Sequence, residues 1–147
     1  MKNYQNIILA VELDSTCDDE PVRKAAELAK EFNANLYLVH AIEHMSSYGA
    51  AYGVAAGADI EEMLLENAST AMKKLGDDIN IGKDKQVIKV GPARTIILEE
   101  ADKLNADLVV VGSHGRHGMR LLLGSTANAV LHGATCDVLA VRLKDEA

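Results

Sequence analysis

Cysteine is scarce, basic side chains are outnumbered, and no apolar run is long. The 147 residues include 2 cysteines, Cys17 and Cys136, far apart in sequence and making no metal-ligand pair. They read as reduced thiols, and no disulfide is expected. Lys and Arg number 15 against 22 Asp and Glu, a net charge of −7, and the basic residues are scattered rather than gathered into one patch. Such a surface repels a phosphate backbone, which argues against nucleic acid and against an anionic membrane as partners. After Met1-Lys2-Asn3 the first apolar run is short and ends at Glu12. It offers neither a secretory segment nor a bilayer-spanning one, so the expected location is the cytoplasm.

What is present suits one domain over residues 1–147, since 48% of the chain is hydrophobic, enough for a core that folds unaided. Five short apolar runs read as strands buried on both faces: Asn6 to Val11, Leu36 to Ile42, Gln86 to Val90, Asp107 to Val111 and Asp137 to Val141. Helical patterns separate them. Val22, Ala25, Ala29 and Phe32 share one face of the first helix. Ile60, Leu64, Ala68, Ala71 and Leu75 line the second, opening at Asp59 as N-cap with Glu62 three residues on. Ala93, Ile97, Ala101 and Leu104 line the third, with Pro92 suited to its first turn. This alternation predicts an α/β fold, a parallel sheet with helices on both faces. Asn33-Ala34-Asn35-Leu36 and Asn105-Ala106-Asp107-Leu108 echo each other where a helix gives way to a strand, and Asn tolerates the left-handed conformation a helix end needs. The segment from His44 to Ala58, rich in Gly, Ala and Ser, reads as a mobile connector.

Ligands of open parallel sheets bind beyond the carboxyl ends of the strands. Two such ends carry unusual chemistry: Glu12-Leu13-Asp14-Ser15 after the first strand, and Gly112-Ser113-His114-Gly115-Arg116-His117-Gly118 after the fourth, with Gly124-Ser125-Thr126 opening the last helix. Glycines let backbone N–H groups approach a phosphate, and a helix N-terminus adds partial positive charge. Ser125 and Thr126 can donate hydroxyls to phosphate or cap the helix, and Arg116 can lend a cation. Spacing alone leaves open a plain flexible turn with a capping serine. No Gly-Lys-Ser/Thr ends the run, so it is not a P-loop, and glycines after the fourth strand rather than the first argue against a dinucleotide fingerprint.

Val109-Val110-Val111-Gly112-Ser113-His114-Gly115, together with Leu123-Gly124-Ser125-Thr126, strongly resembles the universal stress protein family, in its universal stress protein A branch. Ile7-Ile8-Leu9-Ala10-Val11-Glu12 resembles the family's first strand, Leu38-Val39-His40-Ala41 its second, and Val90-Gly91-Pro92-Ala93 its third strand-to-helix junction. The resemblance implies an open, doubly wound, five-stranded parallel sheet of order 3-2-1-4-5, Rossmann-like and of the adenine-nucleotide-binding type. It implies ATP with Mg²⁺ at the switch point between strands one and four. Carried over by position, Gly112, Gly115, Gly124, Ser125 and Thr126 hold phosphates and ribose, alongside Arg116 and Val111, while Val11, Glu12 and the backbone of Ala41 face the adenine. It also implies a homodimer pairing through the last strand, at Val138, Leu139, Ala140, Val141 and Arg142.

Two departures stand out. Eight residues separate Gly115 from Gly124 where nucleotide-binding members have nine, and Glu12 stands where the family usually has Asp. One residue of chain spans roughly 3.5 Å, wider than a hydrogen-bonding window, so the phosphate grip is either rebuilt or lost. The alternative reading is therefore a protein–protein interaction module with a vestigial pocket. His114 and His117 lack evident further ligands, so no metal site is expected; His40 reads as a hydrogen-bonded core histidine and His132 as a complement to a helix dipole. No nucleophile with a base can be named, so the expectation is a stress-response binding protein and not an enzyme, any slow ATP turnover being incidental. It would act through a regulatory protein partner that the sequence does not identify.

Overall fold

The computed structural model describes residues 3–13, 20–43, 54–113 and 124–142. The strands are β1 (Asn6–Ala10), β2 (Asn35–Ile42), β3 (Gln86–Val90), β4 (Leu108–Gly112) and β5 (Asp137–Val141). The helices are α1 (Glu20–Phe32), α2 (Val54–Ile79), α3 (Ala93–Lys103) and α4 (Ser125–Gly133), and a 3-10 turn at Lys83–Lys85 precedes β3. The five strands are all parallel, in the order β3-β2-β1-β4-β5. Fold class and strand order are those expected.

Alternation along each strand divides the core into two layers. Ile7, Leu9, Leu38 and Val110 pack on one face with Ala25 of α1 and Met72 of α2. Ile8, Val39, Val109 and Val111 pack on the other with Ile96, Ile97 and Ala101 of α3 and Ala127 and Val130 of α4. Ile7, Ile8 and Leu9 are wholly buried, each burial stabilising the fold by roughly 1.5–3 kcal/mol. Burial on both faces holds for β1 and β4 but not for the outer strands. Every residue of β3 is half-buried, and β5 is fully buried only at Val141. An edge strand has one flank open to water, which its apolar sequence does not reveal.

Asn33 and Asn105 adopt positive φ, 53° and 52°, at the ends of α1 and α3, and Asn80 does the same after α2 at 60°. In each case the backbone N–H that follows turns back to the helix: Ala34 to Ala29, Ile81 to Gly76 and Ala106 to Ala101. Gly91 has φ +150°, where an added Cβ would also meet Ile96 Cδ1 at 3.2 Å. Only glycine takes that path comfortably, and it lets Pro92 stand as N-cap of α3, one position before the first turn.

The second helix begins earlier than its amphipathic stripe suggests. Asp59 lies inside α2 rather than capping it, and residues 54–58, read as connector, are helical. Ala55, Ala56 and Ala58 are strong helix formers, and one Gly among them costs about 1 kcal/mol, too little to stop the helix. Residues 44–53 lie outside the described residues. The anchor of α2 is Met72, 1% exposed, with Ala68 beside it and Leu75 and Ile79 on the same face; Ile60, Leu64 and Ala71 are half-buried.

The amino ends of the strands are tied together by polar bonds. Asp107 Oδ2 accepts the backbone N–H groups of Gln5 at 2.8 Å and Asn6 at 2.9 Å, which sets the start of β1 against β4. Asn6 Nδ2 donates to the Asn105 carbonyl, Asn35 Nδ2 to Asn6 Oδ1 and Lys85 Nζ to Asn35 Oδ1. Tyr4 stacks edge-on against Phe32, centroids 5.1 Å apart, and donates its hydroxyl to Asp137 Oδ2 at 2.8 Å.

Two predictions follow from these contacts. Asp107→Ala should lower stability by about 1–3 kcal/mol, because two backbone donors lose a charged acceptor. Urea unfolding would read this as an earlier midpoint at unchanged slope, and an unmoved midpoint would contradict the role given to Asp107. The second concerns pH. The hydrogen bond to Asp137 raises the Tyr4 phenol above 10.0, and the Glu100 carboxylate raises the Lys89 ammonium above 10.5 against the desolvation that lowers it. Both groups hold protons more tightly when folded. Their stabilisation is complete below about pH 10 and drains away as pH rises through the raised values. Stability of Tyr4→Phe should therefore fall less steeply than that of the parent as pH rises above about 10; parallel declines would contradict this.

Candidate functional site

Where β1 and β4 end, the chain departs in opposite directions. β1 leads through α1 on one face to β2, while β4 leads through α4 on the other face to β5. Their carboxyl ends lie side by side, since Ile7, Ile8 and Leu9 pair with Leu108, Val109 and Val110. The crevice between such diverging connections is where open α/β sheets take ligands.

One lip is held by β2. The Val11 N–H donates to the Val39 carbonyl at 2.9 Å, and the Val11 carbonyl lies 2.8 Å from His40 Nδ1. A carbonyl can only accept, so the proton sits on Nδ1 and a neutral ring keeps Nε2 as an acceptor. His40 is thus hydrogen-bonded as anticipated, though half-buried rather than deep in the core. Glu12 is exposed on this lip.

The other lip ties β4 to α4 and β5. The Ser113 N–H donates to the Val141 carbonyl at 2.8 Å, and the Gly124 N–H donates to the Ser113 carbonyl at 2.7 Å. That second bond seats the N-terminus of α4 against the end of β4. Gly124 is the N-cap, extended at φ −61° and ψ 154°, and among the described residues no side chain caps the helix. Ser125 is the first helical residue and exposed, so the reading of it as a cap does not hold. The first amides of a helix have no intrahelical partner, and here Ser125, Thr126 and Ala127 provide them.

Beside this uncapped end lies an orphan. Ser113 is 7% exposed, and its Oγ has no hydrogen-bond partner among the described residues. A buried hydroxyl left unpaired costs about 1–3 kcal/mol, so it marks a place where a polar group is wanted. Sequence reasoning had not singled out Ser113. The signal was its position, the first polar side chain after an apolar strand and directly after Gly112.

Val11 and Val111, 7% and 2% exposed, lie in opposite core layers beneath the crevice, while Ala41 and Gly112 are half-buried. Gly124 and Thr126 are half-buried at the helix end. The structure therefore brings Val11, Glu12, Val111, Gly112, Gly124, Ser125 and Thr126 to the adjoining strand and helix ends, with Ala41 one strand away. Gly115, Arg116, His114 and His117 lie outside the described residues. His132 is exposed in the last turn of α4, a position where its charge suits the helix dipole. Among the described residues no three His, Cys, Asp or Glu side chains gather as a metal site, and no helix is long and apolar enough to cross a membrane.

Comparison with known proteins agrees with this geometry. The model of the universal stress protein family matches residues 3–142. Universal stress protein A homolog 2 of Coxiella burnetii is 59% identical over 144 residues, covering 98% of this chain and 99% of the relative. Among solved structures, universal stress protein UspA from Lactobacillus plantarum superposes with TM-score 0.81 at 21% identity, over 98% of this chain and 100% of that one. A universal stress protein in complex with cAMP has TM-score 0.66 at 22% identity, over 97% of this chain and 100% of that one. The Archaeoglobus fulgidus protein in complex with dAMP has TM-score 0.61 at 20% identity, again over 97% and 100%. At these identities the structures establish the fold, while the family model and the Coxiella relative, each spanning nearly the whole chain, establish that it belongs to the universal stress protein family.

Proposed function

We propose that this chain is a stress-response protein that holds an adenine nucleotide, ATP with Mg²⁺ foremost, across the ends of β1 and β4, and works as a cytoplasmic homodimer joined through β5. The observation that carries the nucleotide reading is the N-terminus of α4, with no side-chain cap among the described residues, next to Ser113, whose buried hydroxyl has no partner among them either. Among the described residues neither the first amides of α4 nor this hydroxyl has a protein acceptor, which suits an anion. Charge-assisted hydrogen bonds contribute about 1.5–3 kcal/mol each, and the helix dipole adds about 0.3–1 kcal/mol. Phosphate and ribose would rest on Gly112, Gly124, Ser125 and Thr126, with Gly115 and Arg116 completing the grip. The base would lie toward Val11, Glu12 and the backbone of Ala41, with Val111 in the floor. Mg²⁺ would ride on the phosphates and its own waters rather than on a protein cage. The cAMP and dAMP complexes of the two structural relatives support adenine as the shared moiety.

The dimer reading rests on β5, an edge strand that pairs with no further strand among the described residues and whose Val138, Leu139 and Ala140 are half-buried against the two core layers. Beside it lies a niche of about 380 Å³ lined by Tyr4, Leu28, Leu108, Asp137, Val138 and Leu139, which a second copy would cover. We assign no catalytic residue, and the account requires binding without turnover. A regulatory protein would read the nucleotide-bound dimer. The eight-residue spacing between Gly115 and Gly124 favours a second reading, a protein–protein interaction module whose pocket no longer binds nucleotide.

Thermal denaturation of nucleotide-free protein separates the two. A ligand at about a hundred times its Kd stabilises by about 2.7 kcal/mol, so ATP with Mg²⁺ should raise the midpoint, and no shift at about 1 mM would favour the vestigial pocket. Ser113→Ala supplies a sharper check. It removes an orphan group, so the apo protein should be as stable as the parent or more so, while ATP binding weakens about tenfold. Lower apo stability with undiminished ATP affinity would reject Ser113 as a ligand. For the dimer, sedimentation velocity should give two copies for the parent and one for Val138→Lys; equal masses would reject the β5 interface.

A further inference from the structure

The sheet has two edges, β3 and β5, and they differ in chemistry. Among the described residues neither outer edge pairs with a further strand, and an edge of this kind is a template for one. If both were open, copies could join β5 to β3 head to tail without limit, whereas use of one edge about a two-fold axis closes at two copies. β5 carries its one charge at its first residue, Asp137, which accepts from the Tyr4 hydroxyl, and none from Val138 to Val141. The fourth residue of β3 is Lys89, between Ile88 and Val90.

Lys89 does not simply extend into water. Its ammonium pairs with the carboxylate of Glu100 on α3, a residue 2% exposed, and Glu100 Oε1 has no other partner among the described residues. Glu99 and Lys103, on the same helix, are the other charges that act on Lys89. The Lys89 side chain keeps 42% of its surface in water. A strand docking on β3 would have to strip that water from an ion pair already half desolvated. Only the Glu100 half of the pair is buried, and a pair with one partner so exposed contributes little to stability. An inward-leaning charge on an edge strand is a recognised way to refuse further pairing.

We propose that the Lys89–Glu100 pair closes the β3 edge, so that self-association is confined to β5 and ends at two copies. The proposal rests on the β5 reading for which edge is used, while the refusal at β3 is tested by itself. The experiment compares the parent, Lys89→Arg and the double variant Lys89→Val with Glu100→Leu, which removes both charges and leaves no lone carboxylate. Far-UV circular dichroism establishes that each is folded, and sedimentation velocity over a concentration series reads mass.

The parent and Lys89→Arg should share one concentration-independent species. The folded double variant should add larger species that grow with concentration, its weight-average mass at least about twice that of the parent. A folded double variant with the parent's mass throughout would overturn the proposal. Should the apolar variant not fold, Lys89→Gln with Glu100→Gln, nearly isosteric, is read in the same way and overturns the proposal by the same result. A monomeric parent would reject the β5 dimer, yet growth of the double variant beyond it would still report an unblocked β3.

Discussion

The parallel pairing of β1 with β4 is the constraint on which the rest depends. These two central strands are buried on both faces, in a register set at one end by the Asp107 carboxylate on Gln5 and Asn6. Because β1 hands the chain to one side and β4 to the other, their pairing forces the two exits apart and leaves a crevice between them. The crevice is a by-product of topology. What gives it chemistry is local: a glycine N-cap and a buried serine hydroxyl, neither of which has a side-chain or backbone partner among the described residues for the donors it leaves. Both features are unfavourable in an isolated fold, and both would suit the anion proposed for this site.

At the opposite end, the strands start in a belt of side-chain bonds from Lys85 through Asn35 and Asn6 to the Asn105 carbonyl. The described residues are thus tied together at the amino ends of the strands, and at the carboxyl ends they leave donors without partners among themselves. The two edges divide labour in the same way. Lys89 and its buried carboxylate partner make β3 costly to cover, while β5 presents apolar, half-buried side chains and an adjoining niche.

Much of this was legible in the sequence. The five apolar runs predicted the strands to within a residue at each end, since buried parallel strands have little room for polar side chains. Asn33 and Asn105 announced their left-handed turns, and Asn80 repeated the device unnoticed because no echo of the other two flanked it. The early start of α2 was hidden because small residues were taken to mean loop, whereas alanine needs no packing partner to be helical. Half-burial of β3 and β5 was not legible, because position in the sheet, not strand composition, decides which flank is open. Ser113 escaped for the same reason: its burial and lack of a partner depend on the closure of Gly124 onto its carbonyl, a contact eleven residues along the chain. The strand order is implied by the family resemblance and not by the pattern of apolar runs, which fixes the strands but not their neighbours in the sheet.

The most direct test of the central claim watches the donors themselves. In amide-resolved NMR of nucleotide-free protein titrated with ATP and Mg²⁺, the N–H signals of Ser113, Ser125, Thr126 and Ala127 should shift together and saturably, while those of β3 stay in place. Saturable shifts elsewhere with these four unmoved, or none at all, would contradict a phosphate seated on the N-terminus of α4.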